Sequence, residues 1–371
     1  IADPNRKSAP WVWDLIASVQ SIADAKRIAD CWRYASGQPQ TGGDDFFPGT
    51  AAQQLADYLF AAHLGGRSVS DVFRWCSNER DTSPADILSE YPRYAGIASR
   101  VSSVIALTPE TRSGVFGSLQ TMVAFLADPE IIDWIDPHRD TNGNIDERRG
   151  LFDPCEFATS EDTLYLLSAQ GRPSTALTAS LTAVVAFTAF QRAQSEFTGN
   201  NRRLPVPLCC VLDEAANICR WPELADVYSY FGSAGIPIMT IWQNPDQGRA
   251  AFGETNFGSL FNNANITVYL GGIKDAKFLG EISQLVGQRE IVRGSVNIDG
   301  TGRRSVNNSI QKENILDVSD LTEWPVGRAL LLASQSRAQI VKTLPWTGNR
   351  QWADALAQAK AKAREEQRKA A

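Results

Sequence analysis

The stretch that decides the fold runs from Leu204 to Gln247 and reads LPVPLCCVLDEAANICRWPELADVYSYFGSAGIPIMTIWQNPDQ. Its apolar run, Leu208–Leu212, follows two closely spaced prolines and ends in two adjacent carboxylates, Asp213 and Glu214. An uninterrupted apolar run of this length predicts a strand that is buried on both faces of a parallel sheet. Carboxylates at the carboxyl end of such a strand lie at the mouth of the sheet, where open α/β folds bind ligands.

An Asp-Glu pair in this position is suited to phosphate chemistry. Asp213 can hold a hydrated Mg²⁺, and Glu214 can polarise a water for attack on a phosphate. A second apolar run, Ile236–Trp242, ends in the amide Gln243, and an adjacent strand would bring that amide to the same mouth, beside a γ-phosphate. The alternative is that both carboxylates only cap the helix that follows the strand.

Composition places the chain among ordinary globular proteins. Of its 371 residues, 43% are hydrophobic and 21% are charged, and a net charge of -6 gives no overall basic surface for nucleic acid. Six cysteines without a C-x-x-C pair and only two histidines argue against a disulfide framework, a zinc site and a His-dependent triad. Cys209 and Cys210 fall in the predicted buried strand and are expected to be core residues. We predict no signal peptide and no membrane span, since the run Thr175–Phe190 fits a buried core helix better.

Residues 50–136 predict helices almost throughout. Ser68 is a candidate N-cap, and Ser83 and Thr108 each place a hydroxyl before a proline at the first helical position. Four or five helices without an intervening strand contrast with the rest of the chain. We therefore expect an all-α insertion here.

From Asp153 onward the predicted pattern alternates between strands and helices. Strict alternation with short connections rich in Gly, Pro and Asn predicts a parallel sheet with helices on both faces. Besides the two strands above, the predicted elements are the strands Thr163–Ser168 and Ile266–Leu270 and the helices Thr175–Gln194, Glu223–Phe231, Gln247–Phe261 and Asp275–Val286.

The last part of the sequence predicts two β-hairpins and a helix. The first hairpin has its strands at Glu290–Val296 and Ser305–Gln311, around an Asn-Ile-Asp-Gly turn. The second has them at Ala329–Ala333 and Gln339–Leu344. The segment from Trp352 onward is rich in Ala, Lys, Glu and Arg and predicts a solvated helix.

An ordered series of segments resembles a known family. VLDEAAN, SAGIPIMTIWQNPDQ, NNANITVYLGG and DAKFLGEISQLVG occur in this order, preceded by WVWDLIASV and SLQTMVAFLADP and followed by DLTEWPVGRALLLASQSRAQIVKTLPW. The series resembles the conjugative coupling proteins of type IV secretion systems, the TraG/TraD-like family of RecA-type P-loop ATPases. The resemblance covers nearly the whole chain, and its specificity lies in the ordered combination.

The resemblance implies an α/β fold: a RecA-like parallel sheet flanked by helices, with an all-α insertion domain and C-terminal β-hairpins. The expected domains are residues 1–49 as part of the nucleotide-binding domain, 50–150 as the all-α domain, 151–346 as the remainder of the nucleotide-binding domain, and 347–371 as a C-terminal helical tail.

The same resemblance assigns roles to three residues. Asp213 corresponds to the Walker B residue that holds Mg²⁺ through water, Glu214 to the catalytic carboxylate, and Gln243 to the sensor glutamine that also contacts the nucleotide. ATP and Mg²⁺ are the implied cofactors. Members of the family are membrane-anchored hexamers on the cytoplasmic face of the membrane. They recruit relaxase–DNA complexes or effectors and pass them to the channel proteins, with the DNA as a single strand.

Two departures from the family pattern are visible in the sequence. No G-x-x-x-x-G-K-[ST] motif occurs in the 371 residues, although phosphate binding depends on such a loop. The family places that motif upstream, so we expect this chain to be a soluble piece of a longer, anchored protein and to be inactive alone. The turn before the strand that ends at Gln243, Phe231–Gly235, also lacks the arginine finger that many relatives carry, and Arg220, Arg249 and Arg289 are the candidate substitutes.

Three arginines near the tip of the first hairpin, Arg293, Arg303 and Arg304, are candidate DNA contacts, with a merely solvated hairpin as the alternative. Two other functions stay open at this point. The chain is a non-hydrolysing module whose helical part docks substrate proteins, or it belongs to a DNA translocase of the FtsK type, which shares the core. The all-α insertion favours the coupling family over the translocases.

Overall fold

The computed structural model describes residues 11–37, 46–140, 144–145, 147, 149–168, 174–195, 202–298 and 304–370. Contacts divide the chain into two compact units, Ile1–Asn263 and Ala264–Ala371. The domain boundaries predicted from the sequence stay predictions. The opening Ile1-Ala2-Asp3-Pro4, whose pattern resembles the end of a strand, lies outside the described residues.

In its described residues, the first unit is mainly helical, with four short strands. The strands are β1 Trp11–Trp13, β2 Gly150–Phe152, β3 Cys210–Leu212 and β4 Ile238–Thr240. The helices are α1 Ile22–Ala35, α2 Phe46–Leu64, α3 Val69–Ser77, α4 Ser83–Ser89, α5 Ala95–Ile105, α6 Pro109–Val123, α7 Pro129–Ile135, α8 Pro154–Phe157, α9 Ser174–Ser195, α10 Ala215–Ile218, α11 Leu224–Val227, α12 Pro245–Phe252 and α13 Glu254–Asn263.

Helices α2 to α7 form the helical block that the sequence predicts, and α2 is its centre. Twelve of the 19 residues of α2 are buried, because α1, α3, α4, α5 and α6 all pack against it. A helix that is apolar on all sides is expected in such a central position. Helix α3 begins with a capping box, in which the Ser68 hydroxyl accepts from the Asp71 N–H (3.2 Å) and the Asp71 carboxylate accepts from the Ser68 N–H (3.0 Å).

A buried ion pair ties α2 to α5. The Asp57 side chain is 0% exposed, and both of its oxygens accept from the Arg100 guanidinium, at 2.8 Å from Nε and 2.6 Å from Nη2. Gln53 Nε2 donates a further hydrogen bond to Asp57 Oδ1 (3.2 Å). Burial raises the pKa of Asp57 above its usual value, whereas the hydrogen bonds from Arg100 act in the opposite direction. The Asp57 carboxylate in turn raises the pKa of Arg100.

Helix α9 is the long core helix of this unit. It packs on α1, α8 and α10, and 12 of its 22 residues are buried. Among the described residues it is the one single helix whose length and apolarity are those of a membrane span. Core helices of globular proteins share that composition, and the packing of α9 is of this kind.

Parallel strand pairing is present in two separate two-stranded pieces. Strand β1 pairs with β2, and β3 pairs with β4 in the register Cys210↔Ile238 and Leu212↔Thr240. Bonds from Leu208 N to Gly235 O (3.0 Å) and Cys210 N to Pro237 O (3.0 Å) extend the second piece toward its amino end. The predicted side-by-side strands before Asp213 and Gln243 are therefore present, with short ladders.

Three local predictions for this unit are wrong. Strand β3 is not buried on both faces: Val211 is 57% exposed, and Cys209 is exposed, because within this unit nothing packs on that face. Thr163–Ser168 forms no strand, since no described strand pairs with it. The helix predicted at Glu223–Phe231 is limited to α11, followed by turns.

Two helix boundaries in this unit also differ from the predicted ones. Helix α4 is preceded by Thr82 rather than by Ser83, and the Thr82 hydroxyl donates to the Asp86 carboxylate instead of capping the helix. The residues after α11, Tyr228–Phe231, are three aromatic residues and a serine, which have weaker helix propensity and account for its early end.

The second unit carries the predicted hairpins. Its strands are β5 Ile266–Tyr269, β6 Gln288–Ile298, β7 Arg304–Asn314, β8 Arg328–Ala333 and β9 Gln339–Lys342. Its helices are α14 Ala276–Val286, α15 Val318–Thr322 and α16 Arg350–Ala370.

Both predicted hairpins are confirmed, as β6–β7 and β8–β9. The β6–β7 hairpin has 11 residues in each strand, paired from Gln288↔Asn314 to Ile298↔Arg304. Helix α14 agrees with the predicted helix Asp275–Val286, except that Asp275 is its N-cap rather than its first residue; Gly287 follows its last residue. The sequence predicts that Ile266–Leu270 is a strand of a parallel sheet. This prediction is wrong, because β5 pairs with β8, which runs antiparallel to it.

Candidate functional site

The chain turns sharply at the carboxyl end of β3, and Glu214 makes the turn. Its backbone is left-handed, with φ 50° and ψ 47°. That conformation costs a residue with a side chain about 1–2 kcal/mol and is found mainly where surrounding structure enforces it. Two backbone bonds supply this constraint: Ile241 N donates to Leu212 O (3.0 Å), and Ala215 N donates to Ile241 O (3.3 Å). The corner after β3 is thereby fastened to the end of β4.

Two amides hold the carboxylate of Glu214. Gln243 Nε2 donates to Glu214 Oε1 at 2.6 Å, and Asn217 Nδ2 donates to Glu214 Oε2 at 3.4 Å. Each amide therefore takes a different oxygen. The first bond joins the ends of two neighbouring parallel strands, and the second lies within one helical turn.

Gln243 rests on a rigid base. The next residue, Asn244, caps α12 by accepting from the Gln247 N–H (2.9 Å), and the preceding Trp242 ring lies edge-on to Phe257 at 5.2 Å between centroids. A Cβ on Gly248 would lie 2.1 Å from the Phe257 ring, so this close approach of α12 to α13 requires glycine. Local packing thus fixes where the Gln243 side chain begins.

Asp213 differs from Glu214 in its surroundings. Its side chain is exposed and makes no hydrogen bond or ion pair with the described residues. An exposed carboxylate beside the corner suits an ion that keeps most of its waters, as Mg²⁺ does. Within the described ranges there is no group of three or more His, Cys, Asp or Glu side chains arranged to hold a metal ion.

Two of the three substitute arginines already have partners in this unit. Arg249 pairs with Asp246 (2.9 Å) and Glu254 (3.3 Å), and Arg220 Nε donates to Ala216 O (3.1 Å). Arg289, the third, belongs to the second unit and lies on β6. The geometry of the first unit therefore favours neither Arg220 nor Arg249 as a group that reaches the Glu214 corner.

The hairpin arginines are only partly described. The Arg293 side chain is 62% exposed and forms an ion pair with Glu313 of the facing strand. Arg304 begins β7 opposite Ile298, and Arg303 lies outside the described residues.

Asn217 is the residue of this corner to which sequence reasoning gave no role. The signal was its position three residues after Glu214, since side chains with that spacing are neighbours on a helix. Its significance depends on the left-handed backbone at Glu214, which a strand–helix pattern does not predict.

The comparisons with known proteins bear on this corner. The family described as "TraM recognition site of TraD and TraG" matches residues 207–326, which include all three predicted site residues. This segment is similar to that family's model, which matches less than half of the chain. The resemblance to TraG/TraD-like coupling proteins inferred from the sequence is confirmed. A search of curated proteins gives no significant match.

Solved structures of the coupling protein TrwB have a similar fold. They include the bacterial conjugative coupling protein TrwBΔN70 in an unbound monoclinic form, with TM-score 0.60, 15% identity, and 91% of this chain and 73% of that chain covered. Plasmid coupling protein TrwB in complex with ADP and Mg²⁺ has the same TM-score and identity, with 91% and 74% covered. TrwB in complex with the non-hydrolysable ATP analogue ADPNP has TM-score 0.61 and 15% identity, with 92% and 75% covered. This chain thus has the fold seen in TrwB.

Proposed function

We propose that this chain is part of a conjugative coupling ATPase that drives substrates into a type IV secretion channel. The observation that carries the proposal is the 2.6 Å hydrogen bond between Gln243 and Glu214, at the carboxyl ends of two adjacent parallel strands. Ligands of open α/β sheets bind at such strand ends. The family match over residues 207–326 supports the same conclusion.

Each side chain at the corner has a proposed role. Glu214 accepts a proton from, and orients, the water that attacks the γ-phosphate. Gln243 turns to contact that phosphate and reports its presence to Glu214 by releasing their hydrogen bond. Asp213 holds Mg²⁺ through a water, which its exposed carboxylate allows. Mg²⁺, when bound with ATP, neutralises charge on the β- and γ-phosphates. The TrwB complexes with ADP and Mg²⁺ and with ADPNP support these ligands.

The remaining parts of the proposal concern assembly and partners. We infer that the full-length protein works as a hexamer anchored at the cytoplasmic face of the membrane, where it receives single-stranded DNA with its relaxase, or an effector. The helical block is the proposed docking part. The family description as a TraM recognition site applies to residues 207–326, outside the helical block, and supports a second partner-binding part there.

Removing the Asp213 carboxylate tests the Mg²⁺ role. In the full-length protein, Asp213→Asn is expected to raise the Mg²⁺ concentration needed for half-maximal ATP hydrolysis by about 10–100-fold, the usual effect of losing an outer ligand. The measurement is the rate of phosphate release against Mg²⁺ concentration at saturating ATP.

Asp226→Asn is the matched control, because Asp226 is an exposed carboxylate of α11 in the same unit. It is expected to leave the Mg²⁺ dependence unchanged. Equal curves for wild type and Asp213→Asn would remove Asp213 from the metal site.

Replacing the three hairpin arginines tests DNA contact. With Arg293, Arg303 and Arg304 all changed to Ala, binding of single-stranded DNA is expected to weaken, and the slope of log K against log [salt] is expected to fall by about 2. Each lost phosphate contact removes about 0.7 from that slope. The ion pair of Arg293 with Glu313 reduces the contribution of Arg293. Fluorescence anisotropy of labelled single-stranded DNA, measured at salt concentrations on the order of 50–300 mM, gives the slope of log K against log [salt].

A three-charge control is available on α16, where Lys360, Lys362 and Arg364 are exposed. Changing these three to Ala removes the same charge from the chain. If both triple variants lose the same slope, the hairpin has no special part in DNA binding, and the solvated-hairpin interpretation stands.

The alternative function is a docking module that does not hydrolyse nucleotide, favoured by the absence of a G-x-x-x-x-G-K-[ST] sequence in this chain. Calorimetric measurement of Mg·ATP binding, made on the 371-residue chain and on the full-length protein, distinguishes the ATPase motor from the docking module. Tight Mg·ATP binding by the full-length protein alone supports the motor, whereas no binding by either supports the docking module.

A further inference from the structure

We propose that Asn217 is a positioning residue that holds the Glu214 carboxylate in its working orientation, an inference that rests on the proposed ATPase function. Asn217 Nδ2 donates to Glu214 Oε2 (3.4 Å), while Gln243 Nε2 donates to Glu214 Oε1 (2.6 Å). The two donors come from different elements, so they respond differently to movement of the strand ends.

Helix α10 fixes the place of Asn217. The Asn217 N–H donates to the Glu214 carbonyl (2.8 Å), which closes the first turn of the helix directly on the left-handed residue. Ala215 and Ala216 on the same turn are buried, and Ala216 O accepts from Arg220 Nε (3.1 Å). The Asn217 side chain therefore starts from a turn that is packed and hydrogen-bonded on both sides.

The positions of the two hydrogen bonds indicate that Gln243 and Asn217 act differently on the Glu214 carboxylate. The bond from Gln243 crosses between β4 and the corner after β3, so it breaks when Gln243 turns toward another group. The bond from Asn217 stays within one turn and is independent of that movement. Oε1 is then the oxygen that becomes available to a water, and Asn217 keeps the carboxylate from rotating away through Oε2.

The chemistry of the side chain fits this role. A neutral amide donates to the carboxylate without adding charge beside it, whereas a second carboxylate at this position would repel Glu214. The restraint matters here because the left-handed backbone alone leaves the three side-chain torsions of Glu214 free. A catalytic group works at full rate only when it is held near its productive geometry.

The test is a double-mutant cycle on ATP hydrolysis by the full-length protein. Asn217→Ala is expected to lower kcat about tenfold while KM for ATP changes less than twofold, because substrate binding does not use this bond. Asn217→Asp keeps the size of the side chain and is expected to lower kcat further, by about 100-fold, because it replaces the donor with a like charge. Asn262→Ala, at an exposed asparagine at the end of α13, is the control and is expected to match wild type.

The decisive comparison uses Glu214→Gln as the background. If Asn217 acts only through the Glu214 carboxylate, its removal cannot lower kcat further once that carboxylate is absent. Asn217→Ala is therefore expected to leave kcat unchanged in the Glu214→Gln background. A tenfold further loss in the Glu214→Gln background shows a general structural role and overturns the inference. Wild-type kcat for Asn217→Ala, with Glu214→Gln inactive, also overturns it and leaves the proposed function intact. Wild-type kcat for Glu214→Gln instead refutes the proposed function itself. Should Asn217→Ala fail to fold by circular dichroism, Asn217→Asp decides the same cycle.

Discussion

Glu214→Gln in the full-length protein is expected to lower the rate of ATP hydrolysis by about 10²–10⁴-fold, the usual contribution of a positioned general base. The substitution keeps the length of the side chain, and its amide oxygen is still able to accept from Gln243, whereas it has no carboxylate to take a proton. Nucleotide affinity is expected to change little, because the proposed role concerns the attacking water. The measurements are phosphate release in the steady state and binding of ADPNP.

Glu223→Gln is the control for this experiment. Glu223 lies nine residues further along the same segment, and its carboxylate pairs with Arg27 at 3.0 Å rather than facing the corner. It is expected to keep the wild-type rate of hydrolysis. If Glu214→Gln and Glu223→Gln hydrolyse ATP at the same rate, the corner is only a helix cap, and the nucleotide interpretation of Asp213 and Glu214 fails.

Arg100→Ala is expected to reduce the free energy of unfolding by about 3 kcal/mol at neutral pH, because it leaves a buried carboxylate without its partner. The Asp57 side chain is 0% exposed, whereas that of Arg100 is 43% exposed. Because Arg100 is partly exposed, we take the lower end of the about 3–5 kcal/mol expected when one partner of a buried ion pair is removed. Burial already raises the pKa of Asp57, and loss of the hydrogen bonds from Arg100 raises it further. Urea unfolding followed by circular dichroism measures the change.

The pH dependence of this variant has a definite sign. At pH values just above the usual aspartate pKa, Asp57 stays protonated in the folded Arg100→Ala protein. In the unfolded protein, Asp57 releases its proton over the same pH interval. The folded state then binds more protons, so its stability rises as the pH falls. The difference from wild type is therefore expected to be smaller at pH 5 than at pH 7, and Asp57→Asn in the same background is expected to recover part of it.

Arg74→Ala serves as the surface comparison. Arg74 pairs with Asp71 at 2.7 Å, but its side chain is 65% exposed, and exposed pairs contribute at most about 1 kcal/mol. Equal destabilisation by Arg74→Ala and Arg100→Ala would contradict the special cost assigned to the buried Asp57.

Local signals in the sequence predicted the elements that are encoded within a few residues. Ser68 before α3, Asp275 before α14 and Gly287 after it each act through bonds to near neighbours, so their effect is readable from the chain alone. The two strands of the β6–β7 hairpin were predicted from their sequence pattern, although β6 extends to Ile298 and includes two residues of the predicted turn. The same holds for the ends of β3 and β4, where polar residues follow apolar runs.

Long-range pairing was not readable in that way. The antiparallel pairing of β5 with β8 joins Ile266 to Ala333, residues far apart in the chain, and no periodicity in either strand states the direction of its partner. The exposure of Val211 likewise depends on what packs on β3, whereas its apolar character predicts burial. At the candidate site, the types of the three residues were predictable, but the restraint by Asn217 depends on the backbone angles of Glu214.

The length of the β6–β7 hairpin determines how far its outer end moves when its base rotates. With 11 residues in each strand and a rise of about 3.4 Å per residue, the Ile298↔Arg304 pair lies about 35 Å along the strands from the Gln288↔Asn314 pair. A rotation of about 10° at the Gln288↔Asn314 end therefore displaces the Ile298↔Arg304 pair by about 6 Å, as long as the ladder of strand hydrogen bonds keeps the hairpin stiff. Small angular changes at the base of the arm are thus converted into displacements of molecular size at its far end.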